Sequence, residues 1–291
     1  MYYLDRTPLY EVEKPYSMRY LPEEGIPQTN YKKVKYPLTA RSMRRPDVGP
    51  FRLNECGFQL VNLDSKLSYD EFWDNKRVQE VYIEEVKDTL KKQLDAKHVF
   101  VLDYAVRKRH KSFPISTGEE YEYDQPTALA HIDFTREEGE RIIKILFGDQ
   151  ADKVLQGRWQ AINIWKPIMG PLNDWPLGLC DTRSVDFEKD TIAGDIVFDD
   201  FYTENLQILH NPGFQWYYLP DQNTWEVLMF KSADSDKNSP TPGCAHSGFY
   251  NPHVKEGDLR ESMDCRCFVF FADLDEYPPV VGDVFQAKAH I

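Results

Sequence analysis

The sequence predicts a mainly β fold, a sandwich or jelly roll braced by flanking helices. Three observations predict it. Short strand-like runs separated by Pro- and Gly-rich turns fill the chain after Gly157, two helix-period segments precede them, and aromatic residues make up 14% of the 291 positions. A chain of this length can bury one substantial core, so residues 1–291 are read as a single domain with an extended N-terminal arm over about residues 1–55.

The arm is rich in Pro, Tyr and charge and lacks periodicity, with turns expected at Pro15, Pro22, Pro27 and Pro46. Phe58 to Leu63 alternates as a strand. Apolar residues then recur at Val78, Val81, Ile83, Val86, Leu90 and Leu94 against a charged opposite face, which predicts a helix over about 76–96. His98, just past its end, is expected to partner the helix C-terminus. Val99 to Val106 reads as a buried strand. Thr135 with Glu138 three residues on forms a capping box and starts a second helix. Further strands are expected at Trp159–Trp165, Asp195–Phe198, Phe214–Leu219, Trp225–Lys231 and Cys265–Phe271, with turns at Pro167, Pro171, Gly213 and Gly243 between them.

A net charge of −13 repels a phosphate backbone or an anionic membrane, which excludes a nucleic-acid partner. The basic cluster Arg107 to Lys111 is followed by Glu119, Glu120, Glu122 and Asp124, and reads as a solvated loop or strand end. Five cysteines without C-x-x-C spacing indicate neither a disulfide framework nor a zinc site. No secretory signal and no long apolar run is present, so no membrane span is expected and a cytoplasmic setting follows.

The chemistry starts at His131-Ile132-Asp133. On a strand the side-chain period of two puts His131 and Asp133 on one face, where an imidazole and a carboxylate can bind one metal. A second imidazole would complete a two-His-one-carboxylate triad, which leaves coordination positions open on Fe(II). His98, His110 and His290 are poorly placed, which leaves His210, His246 and His253 in the strand-rich half. His246 is followed fourteen residues later by Arg260-Glu261-Ser262. A guanidinium and a hydroxyl two residues apart on one strand face can jointly hold a carboxylate. His246 is therefore the preferred third ligand, with His253 as the fallback.

The order H-x-D, His, R-x-S resembles the 2-oxoglutarate oxygenase and isopenicillin N synthase superfamily. The flanks resemble its fungal AsaB-type hydroxylase/desaturase family, related to the cephem methoxylases. They run Arg158 to Pro167, Pro176 to Ser184, Trp216 to Pro220, Glu226 to Ser235 and His246 to Arg266. The resemblance covers roughly residues 30–275. It implies a double-stranded β-helix (jelly-roll, cupin-like) core and a metal site of His131, Asp133 and His246 that uses Fe(II), 2-oxoglutarate and O2. Arg260 and Ser262 would hold the far carboxylate of 2-oxoglutarate, and no catalytic group beyond the metal site is implied. The implied activity is oxidation of an unactivated carbon of a small natural product (terpenoid, meroterpenoid or amino-acid-derived) in fungal secondary metabolism. Hydrogen abstraction would lead to hydroxylation, desaturation, cyclisation or oxygen insertion.

Asn163 is read either as a hydrogen-bond partner of the cosubstrate or as a core or turn amide. Trp165, Tyr217 and Tyr218 are candidate substrate-pocket residues, although neighbouring Tyr217 and Tyr218 point opposite ways in a strand. Lys166 stands where family members often carry Arg, losing the planar fork. Asp181 reads as a turn residue, Asp234 as part of a mobile polar loop, and Asp264 and Arg266 as cross-strand pairing residues. A homodimer is the assembly to test. Two other readings compete: an iron oxidase that does not use 2-oxoglutarate, and a non-catalytic jelly-roll accessory protein.

Overall fold

A computed structural model of the chain describes residues 1–115, 121–254 and 259–274. Along the chain the strands are β1 (Tyr2–Leu4), β2 (Tyr16–Met18), β3 (Lys33–Lys35), β4 (Ala40–Ser42), β5 (Phe58–Asn62), β6 (His98–Lys108) and β7 (His131–Ile132). They continue with β8 (Trp159–Pro167), β9 (Leu177–Cys180), β10 (Thr191–Val197), β11 (Tyr202–Ile208), β12 (Trp216–Tyr218), β13 (Glu226–Asp234), β14 (His246–Gly248) and β15 (Glu261–Phe270). Two longer helices are α1 (Ile83–Leu94) and α2 (Arg136–Phe147). Five strands form an antiparallel sheet in the order β5-β13-β8-β15-β6. Eight form the facing sheet, β2-β10-β11-β7-β14-β9-β12-β4.

β8 is buried on both faces. Ile162 and Ile164 pack with Val86 and Leu90 of α1 on one side of the five-stranded sheet. On the other side Trp165 meets Leu177, Leu179 and Tyr217 of the eight-stranded sheet. Nearer the end of β8, Trp159 and Ala161 pack with Ile142 and Ile143 of α2. Each strand residue is thus covered by a helix layer or by the opposing sheet, the arrangement expected of a braced sandwich.

Both predicted helices form, with local departures. A π-helical turn over Val78–Tyr82 leads into α1, so Val78, Tyr82 and Ile83 all become buried. That extra residue per turn is what broke the 3.6 spacing near Val81. Thr135 caps α2 by accepting from the Glu138 amide at 3.0 Å. The reciprocal half of the capping box is missing, because the Glu138 carboxylate grips Arg141 instead, at 2.6 and 2.8 Å. Arg141 lies one turn away and offers two charge-assisted bonds where the Thr135 amide offers one neutral one; that amide donates to Glu204 O.

Several sequence expectations need correcting. His98 opens β6 rather than capping a helix, and its Nε2 accepts from the Leu274 amide at 3.3 Å. The basic cluster is in part the strand end it was read as, since β6 closes at Lys108, but three of its charges are paired rather than merely solvated. Arg107 pairs with Asp264 at 2.8 Å, Lys108 with Glu261 at 2.7 Å and Arg109 with Asp174 at 2.5 Å. Asp234 is buried, not mobile, and its Oδ2 accepts from Lys231, Gln160, Arg158 and Ser239. Asp181 is a turn residue as read, since its side chain accepts from the Arg183 amide. All five cysteines are free and buried. Glu119, Glu120 and His290 lie outside the described residues.

The first 55 residues do more than extend. β2 adds in parallel to β10 at one edge of the eight-stranded sheet, and β4 adds in parallel to β12 at the other. β1 lies against the segment before β7, where Ala130 N donates to Tyr2 O at 2.9 Å. Leu4 is fully buried. Leu4→Ala should lower the unfolding free energy by about 2–5 kcal/mol, the cost of a buried leucine cavity. Denaturant titration checks it, and an unchanged midpoint would mean that this segment does not support the fold.

Candidate metal centre

β7 and β14 bring the two imidazoles together. They pair antiparallel with His246 directly opposite His131, so both side chains leave the eight-stranded sheet on the same face, and their ring centroids lie 4.4 Å apart. Asp133 follows β7 two residues after His131. Its Oδ1 lies 3.2 Å from His131 Nε2 and 3.8 Å from His246 Nε2. One ligand atom from each of the three residues falls within 4.8 Å of the others.

The ring orientations fit metal binding. Nδ1 of His131 lies 2.8 Å from Leu129 O, and Nδ1 of His246 lies 3.1 Å from Cys244 O. A backbone carbonyl can only accept, so each Nδ1 carries the proton and each Nε2 presents a lone pair to the site. Bonds of roughly 2.1 Å at right angles set neighbouring ligand atoms about 3 Å apart, close to the Asp133–His131 separation. Two neutral nitrogens and one carboxylate oxygen form the donor set of the facial triad that takes Fe(II).

The charges are consistent with this arrangement. Burial opposes ionisation of Asp133, but the positive charges that His246 and His131 carry when protonated, with that of Arg266, outweigh it and hold the carboxyl well below the usual range. Burial, and then the neighbouring His131, push the His246 imidazole down to about 4 despite the pull of Asp133. A neutral imidazole beside an ionised carboxylate is the state in which both can act as ligands.

Asn163 sits on β8 across from the triad. Its Nδ2 donates a short hydrogen bond to Asp133 Oδ2, and its Oδ1 accepts from Ser232 at 2.7 Å. Both ends of the amide are therefore engaged by protein atoms, an arrangement that suits a residue fixing the carboxylate. Phe230 closes the other side of His246, ring to ring at 4.6 Å.

Arg260 and Ser262 lie at the start of β15. Arg260 Nε donates to Ser262 Oγ at 3.1 Å and Nη1 donates to Trp175 O at 2.9 Å, while the guanidinium stacks over Trp165 at 4.9 Å. The guanidinium is buried, and no carboxylate forms an ion pair with it among the described residues. Burial, and then the like charge of Arg107, pull it down to about 9. A buried cation without a counter-ion is costly unless a ligand supplies one.

Trp165 and Tyr217 face the space between the sheets with Leu179 and Phe230. Tyr218 points the other way and packs on Phe249, bordering a separate cavity of about 780 Å3 lined also by Met1, Tyr36 and Trp175. A second cavity of about 800 Å3, bordered by Phe51, Gln93 and Phe271, is also remote from the triad. Lys166 lies on the opposite face of β8 from Trp165, over the Phe72 and Tyr82 rings at 4.9 and 5.5 Å. It is turned from the triad, so neither a fork nor a point charge at this position serves it. His210 stacks on Tyr36 at 3.7 Å and His253 is exposed in a loop. Asp264 pairs with Arg107, and Arg266 with Asp103, across β15 and β6. Ser232, Asp103 and Gln207, which faces His131 in register on β11, were not singled out in the sequence. Only the alternation of polar residues in otherwise apolar strands could have flagged them.

Residues 1–270 match the family described as an oxidoreductase/YMDC permease-like domain. The hydroxylase/desaturase efuI of Hormonema carpetanum is 32% identical over 247 residues, 79% of this chain and 82% of that protein. The Fe(II)/2-oxoglutarate-dependent dioxygenase nvfI of Aspergillus novofumigatus is 30% identical over 267 residues, 87% of this chain and 89% of that protein. Among solved structures, the iron and alpha-ketoglutarate-dependent endoperoxidase NvfI superposes with a TM-score of 0.79 at 27% identity, covering 94% of this chain and 97% of that one. The chain belongs to this family of Fe(II)/2-oxoglutarate-dependent dioxygenases and hydroxylase/desaturases. Its fold is the family's jelly roll, its cofactors are Fe(II), 2-oxoglutarate and O2, and it is an enzyme, not an accessory protein. No helix among the described residues is long and apolar enough to cross a membrane.

Asn163→Ala should weaken Fe(II) binding by about 10–100-fold, the usual cost of removing a group that orients a metal ligand, while secondary structure by circular dichroism stays unchanged. Anaerobic Fe(II) titration checks it, and wild-type affinity would show that Asp133 needs no such support.

Proposed function

We propose that the chain oxidises an unactivated carbon of a small natural product with Fe(II) held by His131, Asp133 and His246. In this reading Arg260 and Ser262 anchor the distal carboxylate of 2-oxoglutarate. The observation that carries it is the convergence of two Nε2 lone pairs and one carboxylate oxygen, each ring fixed through Nδ1 by a backbone carbonyl. When bound, iron, 2-oxoglutarate and dioxygen supply the oxidising power, with 2-oxoglutarate consumed to succinate and CO2.

The residues of the chain do the holding. Asn163 keeps one oxygen of Asp133 engaged, so the other is turned towards the imidazoles. Trp175 O and Ser262 fix the Arg260 fork, and the Trp165 ring covers one face of the guanidinium and keeps water from it, leaving the N–H edge for a carboxylate. Phe230, Trp165 and Tyr217 present apolar walls that suit a carbon skeleton. The names of the relatives, hydroxylase/desaturase and endoperoxidase, span several outcomes of hydrogen abstraction. Five buried free thiols fit a reducing cytoplasmic setting.

Arg260→Gln should raise KM for 2-oxoglutarate by at least about tenfold, since charge-assisted hydrogen bonds are each worth about 1.5–3 kcal/mol, with a smaller rise for Arg260→Lys. Succinate formation by the iron-loaded enzyme measures it. Oxygen uptake with no succinate formed would overturn the reading in favour of an oxidase that does not use 2-oxoglutarate.

A further inference from the structure

We propose that Arg19, supplied by the N-terminal segment, is the docking group for a carboxylate on the substrate, with Tyr31 and Gln207 hydrogen-bonding the same molecule between Arg19 and the metal. This rests on the Fe(II)/2-oxoglutarate reading and narrows its substrate class to a small carboxylic acid.

Register places these residues on the face that carries the triad. His131 pairs with Gln207, Gln207 with Ile192, Ile196 with Ser17, and the parallel ladder runs on through Arg19 N to Val197 O at 2.7 Å. Paired residues share a face and residues two apart share a face, so Arg19 projects from the same side of the eight-stranded sheet as His131. Three strand spacings across the sheet, about 14 Å, and about six residues along it, about 20 Å, separate the two backbones, and the arginine side chain with a substrate of natural-product size spans that distance.

Opposite this face lie the charged residues of the other sheet. Arg107 is paired with Asp264, and Arg266 with Asp103. Two guanidiniums, the buried Arg260 and the exposed Arg19, have no carboxylate in contact among the described residues. The first is accounted for by 2-oxoglutarate. Arg19 is exposed to water, and burial and then the like charge of Arg107, with that of Arg266, lower its pKa. Lys33 adds a further positive charge close by. Asp124, whose field reaches Arg19, is exposed and forms no ion pair with it.

Two buried polar atoms without a partner lie between. Tyr31 Oη and Gln207 Oε1 are both buried and accept or donate no hydrogen bond. They are neighbours: a Cβ built on Gly194 would stand 3.1 Å from Tyr31 Oη and 3.3 Å from Gln207 Cγ. Gly194 leaves the space through which the Tyr31 hydroxyl reaches the inner face. Unsatisfied buried polar atoms cost stability unless a ligand completes them, and these two lie between an unpaired cation and a metal-ligating histidine.

The test uses the full chain saturated with Fe(II) and 2-oxoglutarate without oxygen, so that Arg260 is occupied. Cyclohexanecarboxylate and cyclohexanecarboxamide are compared by ligand-observed NMR titration against wild type, Arg19→Gln and Arg19→Lys. Expected is a preference for the acid of about tenfold or more in wild type, lost in Arg19→Gln and partly kept in Arg19→Lys. Equal binding of acid and amide to wild type, or a preference that survives Arg19→Gln, would overturn the proposal. The signals of 2-oxoglutarate in the same samples report its retention by each variant, so a failure of the cofactor reading is seen separately.

Discussion

The site depends on one backbone pairing, His246 opposite His131 between β14 and β7. Antiparallel register converts two histidines 115 positions apart in sequence into adjacent imidazoles on one face. A slip of one residue would turn either ring to the outer face, into the cluster of Ile132, Ala245 and Tyr3. The register is therefore held on both sides, by β11 and β9 and by the N-terminal strand that runs beside residues 128–130. Residues far from the metal in sequence, at the very start of the chain, brace the strand that carries it.

Between the sheets, charge is distributed unevenly. Near α2 the interior is apolar, with Trp159, Phe268 and Ile143 in contact. Towards β6 it becomes a set of matched ion pairs, Arg107 with Asp264 and Arg266 with Asp103. Buried pairs of this kind add little stability on balance, because desolvation consumes most of the Coulomb gain. Their effect here is positional. They fix the field around Asp133, and Arg266 contributes to keeping that carboxylate ionised.

Much of this was legible in the sequence. His131, Asp133 and His246 stood out because metal ligation demands particular residue types at strand spacing, and the fold brings them together; Arg260 and Ser262 stood out as a cation and a hydroxyl two residues apart, and they hydrogen-bond each other. Strand β5 was legible from its alternation, and β6, β8, β13 and β15 from apolar runs that burial on both faces favours, although each also carries polar residues. For Asn163 the sequence left a cosubstrate contact and a core or turn amide open and did not reach its bond to Asp133, which tertiary register and not local pattern brings near. Asp234 was misread because a run of Asp, Ser, Lys and Asn looks like a solvated loop, whereas Lys231 and Gln160 draw its carboxylate inward. The edge strands β2 and β4 could not be seen at all: three residues give too little alternation to stand out in a Pro-rich segment.

The most direct measurement is anaerobic absorption spectroscopy of the protein with Fe(II) and 2-oxoglutarate, comparing wild type with His246→Ala. A weak visible charge-transfer band in wild type that disappears in the variant is the predicted result, because the keto acid must chelate an iron held by all three residues. A band of equal strength in both proteins would contradict the assignment of His246. No band in wild type with iron bound would contradict the account of the site as a whole.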